Sequence, residues 1–399
     1  MSDVSAELGL SGGIAHRAGD QPALRVIQVG AGGMGKAWLA TIAANPDVEL
    51  VGLVDLNTAV ATESATEAGF GDVPVGASVA ELITAGVEPD AVINVTVPRA
   101  HHPVNTAALA VGLPVLCEKP LSESLAECLS MVAAAELSGQ LLMVSQSRRY
   151  WRALTTLRAQ LAELGPVASA SCQFFKAPHF GGFRDEMPYP LLIDMAIHQF
   201  DLARHLIGAE PTSVFCRSYN PSWSWYAGDA AASVIFEFGD DATFTFDGSW
   251  CASGLETSWN GTWRFGTAGG TAAWDGDHAP TAETSDGRAL DNTLPDEPEQ
   301  IAGSLAEFVA TLRARAAGEA VTPNGEVHTN VLSVAMVEAA VRSAESGQRV
   351  RLADVVEDAY AQALDGEQNP AVREVLASWT SVLERVGLTE KQVLTEEVA

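Results

Sequence analysis

A chain of 399 residues, 47% apolar and 19% charged, is long enough for two domains with full cores. Its net charge of −28, from 51 acidic and 23 basic residues, repels phosphate backbones and anionic lipid, which argues against nucleic-acid and membrane partners. No apolar run reaches bilayer length, and the five scattered cysteines form no C-x-x-C pair, a pattern that points to reduced thiols in a cytoplasm.

Residues 1–22 are small, polar and without an apolar period, which predicts a poorly ordered extension. Strand-like runs then fall at 24–29, 49–55, 73–75, 91–96, 114–118 and 141–145. Helical runs separate them at 34–44, 58–68, 79–85, 103–111 and 122–137. Apolar strands alternating with helices of this length predict a doubly wound parallel sheet over 23–146, an α/β domain of Rossmann type. Between its first strand and first helix lies Gly30-Ala31-Gly32-Gly33-Met34-Gly35, the G-x-G-x-x-G spacing of a dinucleotide-binding turn. Gly30 permits the sharp turn, Gly32 removes a Cβ from the path of a pyrophosphate, and Gly35 lets the helix approach the strand. The second strand ends at Asp55, whose carboxylate can accept hydrogen bonds from ribose hydroxyls. Leu56 and Asn57 follow, with no arginine for a 2′-phosphate, so NAD is expected over NADP.

The pattern changes after Gln146. A helix at 151–164 leads to a strand at 168–175, a loop at 176–190 and a helix at 191–207. Strands follow at 212–218, 231–238, 242–250 and 262–266. Clean alternation, with Val234, Phe236 and Phe238 on one face, predicts an antiparallel sheet with unlike faces. The acidic stretch 275–299 is expected to be a surface excursion, and helices at 301–317 and 330–346 close this second α+β domain, 147–352. An acidic helical tail is expected over 353–399.

Ligands of doubly wound sheets sit outside the carboxyl ends of the strands. That places Thr96, Pro98, Arg99, His101 and His102 after the fourth strand, and Glu118-Lys119-Pro120 after the fifth, beside a cofactor. A cationic nicotinamide lowers a neighbouring ammonium toward the range of an acid–base group, which suits Lys119. Pro120 stiffens this turn and is open to a cis bond. On the helix that follows the loop, Asp194 and His198 lie four apart and Asp201 three further on, so they share a polar face. An imidazole there can take a hydroxyl proton while a carboxylate orients it; a hydrogen-bonded structural histidine is the alternative. A metal held by Asp194, His198 and Asp201 lacks a second ligand cluster, so no metal is assigned. Tryptophans crowd the second half, Trp223, Trp225, Trp250, Trp259, Trp263 and Trp274; Trp223 and Trp225 in a Pro/Ser loop are the ones suited to stack on a sugar.

These pieces, in this order, resemble the glucose–fructose oxidoreductase/inositol dehydrogenase (Gfo/Idh/MocA) family: the turn at 30–35, Asp55, Pro98 to His102, Glu118-Lys119-Pro120, Arg149-Tyr150 and Asp194 with His198. The resemblance covers residues 24 to 352. It implies a Rossmann domain followed by an α+β domain with a large open, mainly antiparallel sheet, whose outer face joins copies into a homo-oligomer, a dimer or tetramer. It implies NAD contacts from Gly30, Gly32, Gly33, Met34, Gly35, Asp55, Thr96, Pro98, His102, Glu118 and Lys119. Lys119 and His198 become the acid–base pair and Asp194 a contact to substrate hydroxyls, with Arg149 and Arg184 as further substrate neighbours. Which of Lys119 and His198 is the base stays open. The implied reaction is hydride transfer between nicotinamide and a ring secondary alcohol or ketone of a sugar, cyclitol or derivative. Two other readings use the same parts: an NAD-using glycosidase that oxidises C3 transiently, and a non-catalytic dinucleotide sensor.

Overall fold

A computed structural model describes residues 22–239 and 242–388; the expected N-terminal extension falls almost wholly outside it, as does the end of the tail. Six strands, β1 (Leu24–Val29), β2 (Val48–Val54), β3 (Val75–Gly76), β4 (Ala91–Asn94), β5 (Val115–Glu118) and β6 (Leu142–Ser145), form one sheet. The order is β3-β2-β1-β4-β5-β6 and all pairs are parallel. Both faces are covered, so the strands are apolar throughout: Val26, Ile27, Val92, Ile93, Val115 and Leu116 are fully buried. Strand order reverses between β1 and β4, and the crevice outside that switch point is where such a sheet takes a ligand. The loops after β1, β4 and β5 all open there.

The second sheet has eight strands: β7 (Val167–Phe175), β8 (Ser213–Tyr219), β9 (Ala231–Phe238), β10 (Ala242–Ser249), β11 (Thr262–Thr267), β12 (Gly270–Trp274), β13 (Thr281–Thr284) and β14 (Val350–Arg351). They run β13-β12-β11-β7-β10-β9-β8-β14, antiparallel except for the β7–β10 pair. One face packs Phe236, Phe244, Phe246, Trp263 and Phe265 against Phe200 of the helix Ile197–Ile207. Burial of each ring contributes about 1.5–3 kcal/mol before packing and entropy are counted. On the opposite face Phe215 and Ile235 are cross-strand partners, and both are exposed.

Three stretches differ from expectation. Residues 275–299 are not a free excursion: β13 forms an edge of the sheet, and the chain beyond it is laced to the helix Arg152–Leu164. Thr156 donates to the carbonyl of Thr293 (2.7 Å) and Gln160 to that of Asp291 (2.8 Å). The pattern of Thr and Pro looks like a loop because this segment takes its bonds from side chains. The helix Gln300–Ala316 returns to the first sheet, packing Ile301, Leu305 and Phe308 in one cluster with Trp38 and Leu39. The acidic tail is helical as expected but docked. Its helices Leu352–Gly366, Pro370–Ser378 and Val382–Arg385 bury Val355, Val356, Val372, Leu376 and Leu383 in the core shared with the helix Leu125–Ser138. Its acidic residues mark only the outer face of an amphipathic segment.

Candidate active site

The glycine turn is built as its spacing requires. Gly30 has φ +107°, and a Cβ there would meet the Val95 carbonyl oxygen at 2.6 Å. A Cβ on Gly35 would meet the Gly30 oxygen at 2.4 Å, so the helix Gly33–Ala43 can start this close only with glycine. At Gly32 and Gly33 nothing lies within 4 Å of a Cβ, which leaves the helix N-terminus open toward an anion. Gln28 pins the turn from below, its Nε2 donating to the carbonyls of Gly30 (2.8 Å) and Gly35 (3.0 Å). Its position in a strand interior gave no sign of this. Asp55 accepts from the amides of Ala31 (2.9 Å) and Asn57 (2.9 Å), which holds its carboxylate beside the turn with acceptor capacity to spare. Met34, at the start of the helix, is exposed. A cradle of free amides with an acidic residue at its rim fits a dinucleotide.

At the end of β5 the Lys119–Pro120 bond is cis. Glu118 is buried and spends its carboxylate inside the protein, accepting from Trp38 Nε1 (2.7 Å) and the Lys119 amide (3.1 Å). It therefore fixes the lysine's backbone, with one bond on each of its two oxygens. Thr96 is tied to Asn94, whose Oδ1 accepts from its hydroxyl at 2.7 Å, and Pro98 opens a short 3₁₀ turn. His102, expected at the cofactor, faces the other way: its Nε2 lies 2.9 Å from the Ser130 hydroxyl, which in turn bonds Glu367 of the docked C-terminal helices. Its neighbour His101 takes the place between the two loops, bonded to Thr96 and Pro120.

The second half contributes the helix that carries His198. Residues Leu191–Ala196 are wound as a π-helix that passes into the α-helix Ile197–Ile207, so the regular i,i+4 face is interrupted where Asp194 stands. Asp194 accepts from Arg184 Nε at 2.6 Å, and that guanidinium also lies over the rings of Phe180 (5.4 Å) and Phe183 (4.7 Å). His198 is buried, and its Nδ1 has no hydrogen-bond partner. Asp201 does not join them. It accepts a bidentate pair from Arg149 (2.7 and 2.7 Å) and a bond from the Ser333 hydroxyl (2.6 Å). Burial alone would raise the Asp201 carboxyl, but Arg149 holds it below its ordinary range. Arg149 also donates to the Asn324 carbonyl, so it is a buried structural cation and not the substrate contact expected of it.

The arginine that faces the site is Arg148, which nothing in the sequence pattern singles out. Its Nη1 donates to the Trp259 carbonyl and to Asn260 Oδ1 (2.8 Å), and among the described residues no carboxylate pairs with it. Only the adjacent pair of arginines hinted at it, and the pair does not say which one points inward. Burial lowers Arg148 to about 10, so it stays charged at neutral pH. Burial also lowers the Lys119 ammonium; Asp194 and Glu118 oppose that shift, and Arg148 and Arg184 add to it. His198 is pushed well below its ordinary value, by burial first and then by the charges of Lys119 and Arg148. At neutral pH it is an uncharged imidazole beside the Lys119 amine and the Arg148 guanidinium.

A family profile described as "Oxidoreductase family, NAD-binding Rossmann fold" matches residues 24–146, and a second, the GFO/IDH/MocA C-terminal domain, matches 156–271. The chain belongs to the Gfo/Idh/MocA family. Within it, similar proteins include an inositol 2-dehydrogenase of Saccharopolyspora erythraea, 33% identical over 49% of this chain and 57% of its own length. An uncharacterized protein of Sinorhizobium fredii is 32% identical over 56% of this chain and 65% of its own. The chain thus aligns with less than two thirds of the length of these relatives. A crystal structure of an oxidoreductase from Agrobacterium radiobacter, solved with NAD⁺, L-tartaric acid and magnesium, superposes with a TM-score of 0.73. That match covers 82% of this chain and 98% of the other at 19% identity, a likeness of fold. The matched domain is the family's NAD-binding Rossmann fold, and the glycine cradle lies within it. No described helix is long and apolar enough to cross a membrane.

Proposed function

We propose that this Gfo/Idh/MocA protein is an NAD-dependent oxidoreductase acting on a ring secondary alcohol, or the corresponding ketone, of a sugar or cyclitol. The observation that carries the reading is the set Lys119, His198 and Arg148: burial lowers His198, Lys119 and Arg148 are both near enough to lower it further, and Asp194 acts on Lys119. The nicotinamide, when bound, supplies the hydride chemistry. Lys119, with a lowered ammonium pKa, and His198, an uncharged imidazole, are both able to take or return the hydroxyl proton. The charge of Lys119 discourages protonation of His198, which favours Lys119 as the group that exchanges the proton and His198 as the acceptor that orients the hydroxyl. Asp194 and the free donors of Arg148 hold neighbouring hydroxyls. Asp55, without a basic residue after it, favours NAD over NADP.

Two narrower assignments belong to the same reading. The exposed Phe215 and Ile235 pair supports a homo-oligomer formed through the outer face of the second sheet. Five free, buried cysteines support a reducing, cytoplasmic setting. The deciding experiment incubates purified protein with NAD⁺ or NADP⁺ and a broad panel of sugars, sugar acids and cyclitols, following absorbance near ~340 nm, where the reduced cofactor absorbs. Turnover with at least one of them is expected, faster with NAD⁺. Silence in both directions with both cofactors overturns the proposal.

A further inference from the structure

His101 is fully buried, yet both of its ring nitrogens have partners. Nδ1 lies 2.7 Å from the Pro120 carbonyl oxygen and Nε2 lies 3.0 Å from the Thr96 carbonyl oxygen. A carbonyl oxygen only accepts, and a neutral imidazole has a single N–H. One tautomer or the other would therefore leave a ring lone pair facing an oxygen lone pair across a dry contact. Only the imidazolium satisfies both oxygens, and its two bonds are then charge-assisted.

The surroundings bear on that charge. Cys117, on β5, lies against the ring. Glu118 turns its carboxylate to Trp38 and the Lys119 amide, and Glu127 on the helix Leu125–Ser138 turns its own to Ser122. On the ring's own helix, Asn105 accepts from Asn94 at 2.7 Å, and His102 bonds Ser130. Burial by itself lowers His101; Cys117 and the carbonyls of Pro120 and Thr96 outweigh it and raise the ring to about 9.

The two oxygens are not arbitrary ones. Thr96 belongs to the loop after β4 that opens toward the cofactor crevice, and Pro120 directly follows Lys119. We propose that His101 is an imidazolium at neutral pH whose two N–H groups clamp the β4 loop to the Lys119-Pro120 turn, making it the positioning residue for Lys119. Its catalytic part rests on the oxidoreductase reading; its protonation state does not.

Two measurements test it separately. In protein labelled with ¹⁵N-histidine and assigned through the backbone, both His101 ring nitrogens should carry protons at neutral pH and lose one only as the pH rises toward about 9. A neutral tautomer at neutral pH overturns the clamp, whatever the enzyme does. His101→Gln, which presents one amide donor group where two N–H groups stood, should lower kcat about 10-fold with the substrate KM changed less than about twofold. It should also remove the loss of kcat that the native enzyme shows as His101 deprotonates. A native-like kcat and an unchanged alkaline limb in His101→Gln overturn the positioning role. If the variant does not fold, or no substrate turns over, the resonance measurement on the native chain still decides the protonation state.

Discussion

Two buried histidines, one from each half of the molecule, lie near Lys119, one charged and one neutral. In the Rossmann half His101 lies between two carbonyl oxygens and is raised; in the second half His198 lies among cations, its Nδ1 without a partner, and is lowered. Burial acts in the same direction on both. The difference comes from what surrounds each ring: acceptors stabilise an imidazolium, and the charges of Lys119 and Arg148 forbid one. Identical side chains at similar depth are thus set to different protonation states, which in the proposed reading suits His101 to hold structure and His198 to accept from a hydroxyl.

The largest effect that can break this comparison is on chemistry. Lys119→Met and His198→Asn should each lower kcat by about 10²–10⁴-fold while NAD binding, read by calorimetry, changes little. Loss of NAD binding in step with kcat would make both residues part of the cofactor cradle instead. The paired arginines give the next contrast. Arg149→Met strips the buried Asp201 of its bidentate partner, leaving the Ser333 hydroxyl and the more distant Arg204 (3.9 Å), and should cost about 3–5 kcal/mol of stability in urea unfolding. Arg148→Met, with no carboxylate to strand, should raise the substrate KM and spare stability; equal destabilisation by both would refute the division of roles.

A smaller contrast separates the glycines. Gly30→Ala forces a side chain into positive φ against the Val95 carbonyl, and should destabilise the fold by about 1–3 kcal/mol, whereas Gly32→Ala should leave Tm unchanged and weaken NAD. Near neutral pH the smallest effect is in the pH dependence of folding, which grows only as the pH moves away from neutrality. His205 is lowered to about 3, by burial first and by Arg149 next, so the unfolded chain binds its proton more readily. That group's contribution is complete above the ordinary histidine pKa of about 6.5 and is lost as pH falls toward about 3, with a limiting slope near 1.4 kcal/mol per pH unit. His101, being raised, has the opposite sign: its contribution is complete below about 6.5 and lost as pH rises through about 9. His205→Gln should flatten the acid side of a stability–pH curve, and His101→Gln the alkaline side. A curve unmoved on both sides would remove the electrostatic account of the two halves.

Local chemistry made a good part of this legible in the chain itself. The parallel sheet follows from apolar strands spaced by helices, the cradle from three glycines whose Cβ atoms have no room or no business there, and the alternation of β9 and β10 from a sheet with one wet face. Lys119 at a strand end and His198 on a core helix were visible as residue types in suitable places. The tertiary structure alone decided how neighbouring residues divide their work: Arg148 inward and Arg149 onto Asp201, His101 between two loops and His102 onto Ser130, Asp194 to Arg184 instead of toward Asp201. Each of those choices is made by partners between 5 and 112 positions away in the chain. A hydrogen bond to such a partner leaves no period or spacing in the sequence, because its geometry exists only once the two sheets and the returning helices are packed.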